Sequence, residues 1–216
     1  MILRDEVLKL LKELSKHKII SIIRGYDTEE VLKIVKVLIE AKIKFIEITL
    51  NSPNAIYTIK KVTQHYGKQI YVGAGTVQTI EDCHDAIEAG AKYIISPDTN
   101  IEVINYTKSQ GCCSIPGALT PTEVSQAHFA GADVIKVFPA SVFGHSYIKE
   151  IKAPLNEVDL LPTGGIQKSN VKSFIKAGAI GVGISSAIVK SNQNVNKDFL
   201  INIKMNAQEL IEILEV

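Results

Sequence analysis

Cysteine is scarce here: Cys83, Cys112 and Cys113 are the only three among 216 residues, and two of them are adjacent. No disulfide framework can be built from such a set. They are expected to be reduced thiols of a cytoplasmic protein, with Cys112 and Cys113 packing at the start of a strand rather than doing redox work. Long apolar runs are missing as well, which removes any expectation of a membrane span. The opening "MILRDEVLKLLKELSKHK" alternates charge with leucine at helical spacing. That pattern makes an amphipathic helix and not a signal peptide. Neither sign of charge dominates, since 24 Lys plus Arg face 23 Asp plus Glu for a net +1. General affinity for nucleic acid or an anionic membrane is therefore not expected, although a few local groups could still hold a small anion. His17, His65, His84, His128 and His145 fall in no HxH, HxxxH or HExxH spacing, so the chain shows no metal-ligand motif and no metal is expected. No linker, composition break or low-complexity segment divides it, and residues 1–216 are expected to form one domain. The most polar stretch, residues 190–198, reads as a surface connection.

What the chain does have is a long alternation. Hydrophobic residues make up 46% of it and the mean hydropathy is +0.14, enough for a large core. Short apolar runs occur at 18–25, 44–50, 69–76, 92–97, 112–117, 133–139, 158–165 and 179–187. Between them lie helical patterns such as 28–41 and 79–90, and the last helix is expected over 196–216. A weak repeat runs through "EAGAKYIISP", "FAGADVIKVFP" and "KAGAIGVGISS", each with a glycine suited to a left-handed helix cap just before a strand. Strands that are apolar nearly throughout suit a parallel sheet covered by helices. Eight such units predict an α/β fold, a (β/α)8 TIM barrel with an additional N-terminal helix. An open doubly wound sheet is the alternative.

One residue is out of keeping with its run. In "GADVIKVFPAS", Lys136 sits among Val134, Ile135, Val137 and Phe138. A buried lysine is disfavoured unless something pairs with it or uses it. Strand alternation puts Val134, Lys136 and Phe138 on one face, and Phe45, Glu47 and Thr49 on one face of "KFIEITL". Barrel active sites lie at the carboxyl ends of the strands. There the runs end in Arg24, in Thr76 after "GAG", and in Thr163, Gly164 and Gly165. Lys136 and Glu47 could be a structural ion pair, or the lysine could snorkel outward. The functional reading is a Schiff-base lysine. About 1 in 2,500 ordinary lysine side chains is neutral at pH 7, so a nucleophilic amine needs an apolar pocket or a nearby cation to lower its pKa. The "TGG" turn, followed by a helix and joined by Ser185 and Ser186, is a candidate phosphate cradle.

At "FIEIT", "VGAGTV", "YIISP", "IPGALTPTE", "IKVFPAS" and "LPTGGI" the chain resembles the class I pyruvate aldolases that cleave 2-keto-3-deoxy-6-phosphogluconate, also described as 4-hydroxy-2-oxoglutarate aldolases. The resemblance runs from about residue 5 to 190. It implies that Lys136 forms the imine, that Glu47 shuttles protons, and that Thr76 helps hold pyruvate. Pro97 and Phe138 would line the pocket, and Thr163, Gly164, Gly165 and Ser186 would form the phosphate end. Asn51 stands where some members carry an arginine for the substrate carboxylate, a role the resemblance then passes to Arg24. Asp98 replaces a glycine common after "SP". The implied substrate is a phosphorylated keto acid, with the gluconate form first and the galactonate epimer as the alternative. A homotrimer without a cofactor is implied too. A phosphosugar isomerase or epimerase would need paired carboxylates or a metal, and a binding-only barrel would have no use for a poised amine.

Overall fold

The three Ala-Gly-Ala repeats end helices as their glycines allow. Gly90, Gly131 and Gly178 follow the last turns of their helices with φ of 101°, 96° and 103°, a left-handed conformation that needs no Cβ. Each then sends the chain directly into a strand. The structure, a computed structural model, describes residues 2–215. In its first half α1 (Ile2–His17), β1 (Ile19–Ile23), α2 (Thr28–Glu40), β2 (Phe45–Thr49), α3 (Ala55–Tyr66), β3 (Tyr71–Gly75), α4 (Ile80–Glu88) and β4 (Tyr93–Ile95) follow one another. Then come α5 (Ile101–Ser109), β5 (Cys113–Ile115), β6 (Gly117–Ala118), α6 (Pro121–Phe129), β7 (Ile135–Val137) and α7 (Gly144–Lys152). The last elements are β8 (Leu160–Pro162), α8 (Val171–Lys176), β9 (Val182–Ile184) and α9 (Lys197–Glu215).

The strands pair in parallel in the orders β5-β4-β3-β2-β1-β9 and β6-β7-β8. The two arcs meet at Pro116, between β5 and β6, and at a parallel bridge from Thr163 to Gly183. They close a TIM-barrel fold whose fifth strand is broken in two, a division the apolar run 112–117 does not announce. Proline has no N–H for the ladder, so a break at Pro116 follows from its chemistry.

Two cores result. Outward residues such as Ile46, Ile48, Ile94, Ile135 and Val137 pack against helix residues including Ile34, Leu38 and Ile59. Inward residues Ile20, Phe45, Tyr93, Ile95, Cys113, Ile115, Val134 and Leu161 fill the lumen together with Val7, Leu10 and Leu14 of α1. The N-terminal helix therefore stoppers the strand-start end of the barrel and leaves the other end for chemistry. Among the described residues no helix is long and apolar enough to cross a membrane.

Leu14 is fully buried in this stopper, whereas Leu8 of the same helix is 48% exposed. Leu14→Ala is expected to lower the unfolding free energy by about 2–5 kcal/mol in urea titrations. Leu8→Ala should stay within about 0.5 kcal/mol of the parent.

Candidate active site

Lys136 is the central residue of β7, registered between Gly117 and Leu161. Its neighbours Ile135 and Val137 belong to the outer core, and Val134 to the lumen, so the lysine points inward. Of the apolar residues expected to surround the amine, Val137 is thus turned away. Lys136 is 5% exposed. Among the described residues its Nζ makes no ion pair within 4.0 Å. It stands 4.7 Å from the centroid of the Phe138 ring. Burial pushes its pKa below the ordinary lysine value; Glu47 pulls the other way, and the Arg24 charge adds to the lowering. The Phe138 contact also favours the charged form. Desolvation nevertheless prevails.

Glu47 holds the corresponding place on β2 and is 2% exposed. Burial raises its carboxyl above the ordinary glutamate range, opposed by the charges of Lys136 and Arg24. It has room because β3 carries no side chain on its inner face at Gly73 and Gly75. A Cβ on Gly75 would come within 1.8 Å of Glu47 Oε1, and one on Gly73 within 2.1 Å of the Tyr93 ring. Neither contact is possible, so the "GAG" spacing is steric space kept for two neighbours.

The loop after β1 carries Arg24 and is braced from two sides. Gly25 N–H donates to Ser52 Oγ at 2.9 Å, and Ser52 Oγ lies 3.1 Å from Thr49 Oγ1 at the end of β2. On the other side the Tyr26 hydroxyl donates to the Lys190 carbonyl and accepts from Gln193 N–H. The polar stretch 190–198 is therefore more than a surface connection: its backbone helps fix the arginine loop.

Seven of the ten expected site residues line one cavity of about 200 Å³: Arg24, Lys136, Phe138, Thr163, Gly164, Gly165 and Ser186. Ile22, Ile166, Gly183 and Ser185 complete its wall. Glu47 acts on this group through its charge on Lys136 rather than by lining the cavity. Thr76 and Pro97 stand outside the lining. Thr76 takes φ 60°, a left-handed conformation that a β-branched residue adopts only under constraint. Pro97 presses its carbonyl toward β6, where a Cβ on Gly117 would meet it at 2.3 Å. Asn51 and Asp98 are exposed and do not line the cavity. Gly183 was not singled out from the sequence, yet a Cβ there would fall 2.3 Å from Thr163 Oγ1. Its signal is the alternation in "GVGIS", which strips the inner face of β9 as "GAG" strips β3.

The sequence places the helix behind Gly164 and Gly165 from residue 168, whereas α8 has six residues and begins at Val171. Asn170 fills the interval, its Nδ2 donating to the Gly165 carbonyl and its Oδ1 accepting from Gln167 N–H. What faces the cavity is a Gly-Gly turn with φ of 94° and 71° beside Ser185 and Ser186. The cysteines behave as packing residues: all three are free and buried, and burial pushes the Cys112 thiol up to about 12. Among the described residues no group of three His, Cys, Asp or Glu is placed to hold a metal ion.

A family model described as "Aldolase: KDPG and KHG aldolase" matches residues 10–204. The 2-dehydro-3-deoxy-6-phosphogalactonate aldolase of Escherichia coli (strain K12) is 35% identical over 184 residues, 85% of this chain and 90% of that protein. The 2-dehydro-3-deoxy-phosphogluconate aldolase of Treponema pallidum (strain Nichols) is 29% identical over 170 residues, 78% of this chain and 80% of its own. A solved chain of a cube-shaped, highly porous protein cage, designed by fusing symmetric oligomeric domains, superposes with a TM-score of 0.87 at 32% identity. That match covers 93% of this chain and 73% of the cage chain.

A lowered lysine pKa has a signed effect on stability. The unfolded chain keeps the proton to higher pH than the native one, so wild-type stability rises with pH between the lowered value and the ordinary 10.5. Lys136→Met removes the buried cation, and Glu47, without its opposing charge, stays protonated to higher pH. The first change favours the variant and the second opposes it, because a carboxyl raised above its unfolded value costs stability at neutral pH; the variant is expected to be the more stable at pH 7. The gap should close as pH approaches 10.5, in thermal unfolding followed across that range.

Proposed function

The chain belongs to the KDPG and KHG aldolase family, and we propose that it cleaves 2-dehydro-3-deoxy-6-phosphogalactonate into pyruvate and glyceraldehyde 3-phosphate through a Schiff base on Lys136. The observation that carries the mechanism is the buried amine of Lys136, without an ion pair among the described residues, in the wall of a cavity that also offers glycines and serines. Expectation from sequence put the gluconate epimer first. The stronger likeness to the galactonate enzyme, 35% against 29%, supports the reverse order. Cleavage of the gluconate epimer is the second reading, supported by the Treponema relative. Family membership leaves no place for the isomerase or epimerase alternative.

The neutral amine adds to the C2 ketone, and Glu47 delivers the proton with which the carbinolamine loses water. The resulting iminium is the electron sink. Glu47, now a carboxylate, takes the proton of the C4 hydroxyl as the C3–C4 bond breaks toward the iminium. Glyceraldehyde 3-phosphate departs, the enamine is protonated at C3, and water hydrolyses the imine to pyruvate and free Lys136. Arg24 and Thr76 orient the substrate carboxylate, Phe138 and Pro97 flank the keto acid, and Thr163, Gly164, Gly165 and Ser186 take the phosphate end. In this reading the enzyme is a cytoplasmic homotrimer. Buried free thiols support the compartment, and the cage built from symmetric oligomeric domains supports assembly. Sedimentation should then return three times the 23.6 kDa chain mass.

Borohydride reduction in the presence of pyruvate should add the reduced pyruvyl mass to Lys136 and stop turnover, and Lys136→Ala should show neither adduct nor activity. Persistent turnover in the alanine variant removes the lysine from the mechanism. Glu47→Gln is expected to lower kcat by about 10²–10⁴-fold. Comparing kcat/KM for the two epimers assigns the substrate, and a higher value for the gluconate form reverses the order proposed above.

A further inference from the structure

One polar atom in the lumen has no partner. Tyr93, the first residue of β4, is fully buried, and its hydroxyl makes no hydrogen bond among the described residues. Native interiors pair nearly all such groups, and an unpaired one calls for a reason. Phenylalanine would fill the same space without a buried donor.

The register says where this tyrosine lies. Gly73 of β3 is the cross-strand partner of Tyr93 on one side and of Glu47 on the other. With no side chain on Gly73, the Tyr93 ring lies over β3, its Cζ 2.4 Å from where a Cβ would be. Its ring centroid is 6.0 Å from that of Phe45, the inward residue just below Glu47 on β2. The ring therefore reaches across β3 to β2 just below the carboxylate, close enough for the Glu47 charge to act on its hydroxyl. Among the described residues Glu47 makes no hydrogen bond, and its charged form is favoured by the charges of Lys136 and Arg24. A buried donor without an acceptor and a buried carboxylate without a donor thus occupy adjacent parts of one lumen.

We propose that Tyr93 is a positioning residue for Glu47, its hydroxyl donating to the carboxylate, directly or through one buried water, whenever Glu47 is charged. This rests on the reading of Glu47 as the proton carrier of the aldol cleavage. A carboxylate that repeatedly gains and loses a proton needs a donor that stays neutral and engages only the charged form. Burial first, then the charges of Glu47 and Cys113, hold the Tyr93 hydroxyl well above the usual tyrosine range, so it remains a donor. The other groups facing Glu47 are Arg24 at the end of β1 and Lys136 on β7. On β5, Cys113 faces Tyr93 and is itself pushed up by burial, while β3 presents Gly73 and Gly75 and, at its start, Tyr71, which stacks on Phe45 and is likewise pushed up by burial.

Tyr93→Phe tests this with two readouts. The infrared carboxyl band of Glu47, identified by its loss in Glu47→Gln, should titrate at higher pH in the variant, because the charged form has lost a donor. The acid limb of kcat/KM should move the same way, so that activity at the acid end falls about tenfold more than on the plateau. A variant with an unmoved band, an unmoved limb and a raised Tm shows an inert hydroxyl and overturns the proposal. The infrared titration reads Glu47 whether or not the protein turns over. A shifted band with no borohydride adduct on Lys136 supports the contact while the aldolase reading fails. An unshifted band with a normal adduct does the opposite.

Discussion

An amine and a carboxylate share the lumen of this barrel without pairing. A direct ion pair would keep both groups charged, since each charge stabilises the other in a medium of low dielectric constant. Held beyond 4.0 Å, they feel one another less than they feel the loss of water. Both therefore move toward neutrality, the lysine downward and the glutamate upward. Nucleophilic addition and proton exchange need the same condition, an amine that can be uncharged and a carboxyl that can hold a proton. Separation is thus as important to the site as proximity, and it is set by the sheet. Lys136 and Glu47 lie on different arcs of the barrel, and main-chain pairing keeps those arcs apart.

Keeping that separation open requires empty wall elsewhere. Gly73 and Gly75 on β3 and Gly183 on β9 contribute no side chains, and their vacancies are taken by Tyr93, Glu47 and Thr163. At the strand-start end the opposite solution is used: α1 drives Val7, Leu10 and Leu14 against Phe45, Tyr93 and Val134. One end of the lumen is filled to exclude water, and the other is thinned to admit substrate. Both come from the same alternation of inward and outward residues.

That alternation is also why so much was legible in advance. The period-two pattern put Lys136 and Glu47 on inward faces, and the Ala-Gly-Ala caps located the helix-to-strand junctions. What periodicity cannot carry is hydrogen bonding across sequence distance. The break at Pro116, the late start of α8 behind Asn170, and the link from Tyr26 to Lys190 depend on partners that no local pattern names. Thr76 and Pro97 follow strands in the expected register but stand outside the lining of the cavity around Lys136. Gly183 was overlooked because a glycine in a strand reads as a weakness until its neighbour's side chain is seen to need the space.

The rim shows how a charge can move between strands without leaving the site. Ile22 is registered with Glu47, so Arg24 and Thr49 close adjoining strands at one level. Asn51 lies two residues further on, exposed. An arginine at either place would address the same rim, and here the one on β1 is held by hydrogen bonds from both flanking loops. Its charge reaches both buried groups, lowering the pKa of Lys136 and of Glu47. For the amine this favours the neutral form, and for the carboxyl it favours the charged form. The arginine therefore favours a free amine beside a base, whereas the Lys136–Glu47 attraction favours a charged pair. The bracing of the Arg24 loop decides how strongly that bias is applied, which makes a distant contact such as Tyr26 to Lys190 part of the electrostatics of the amine.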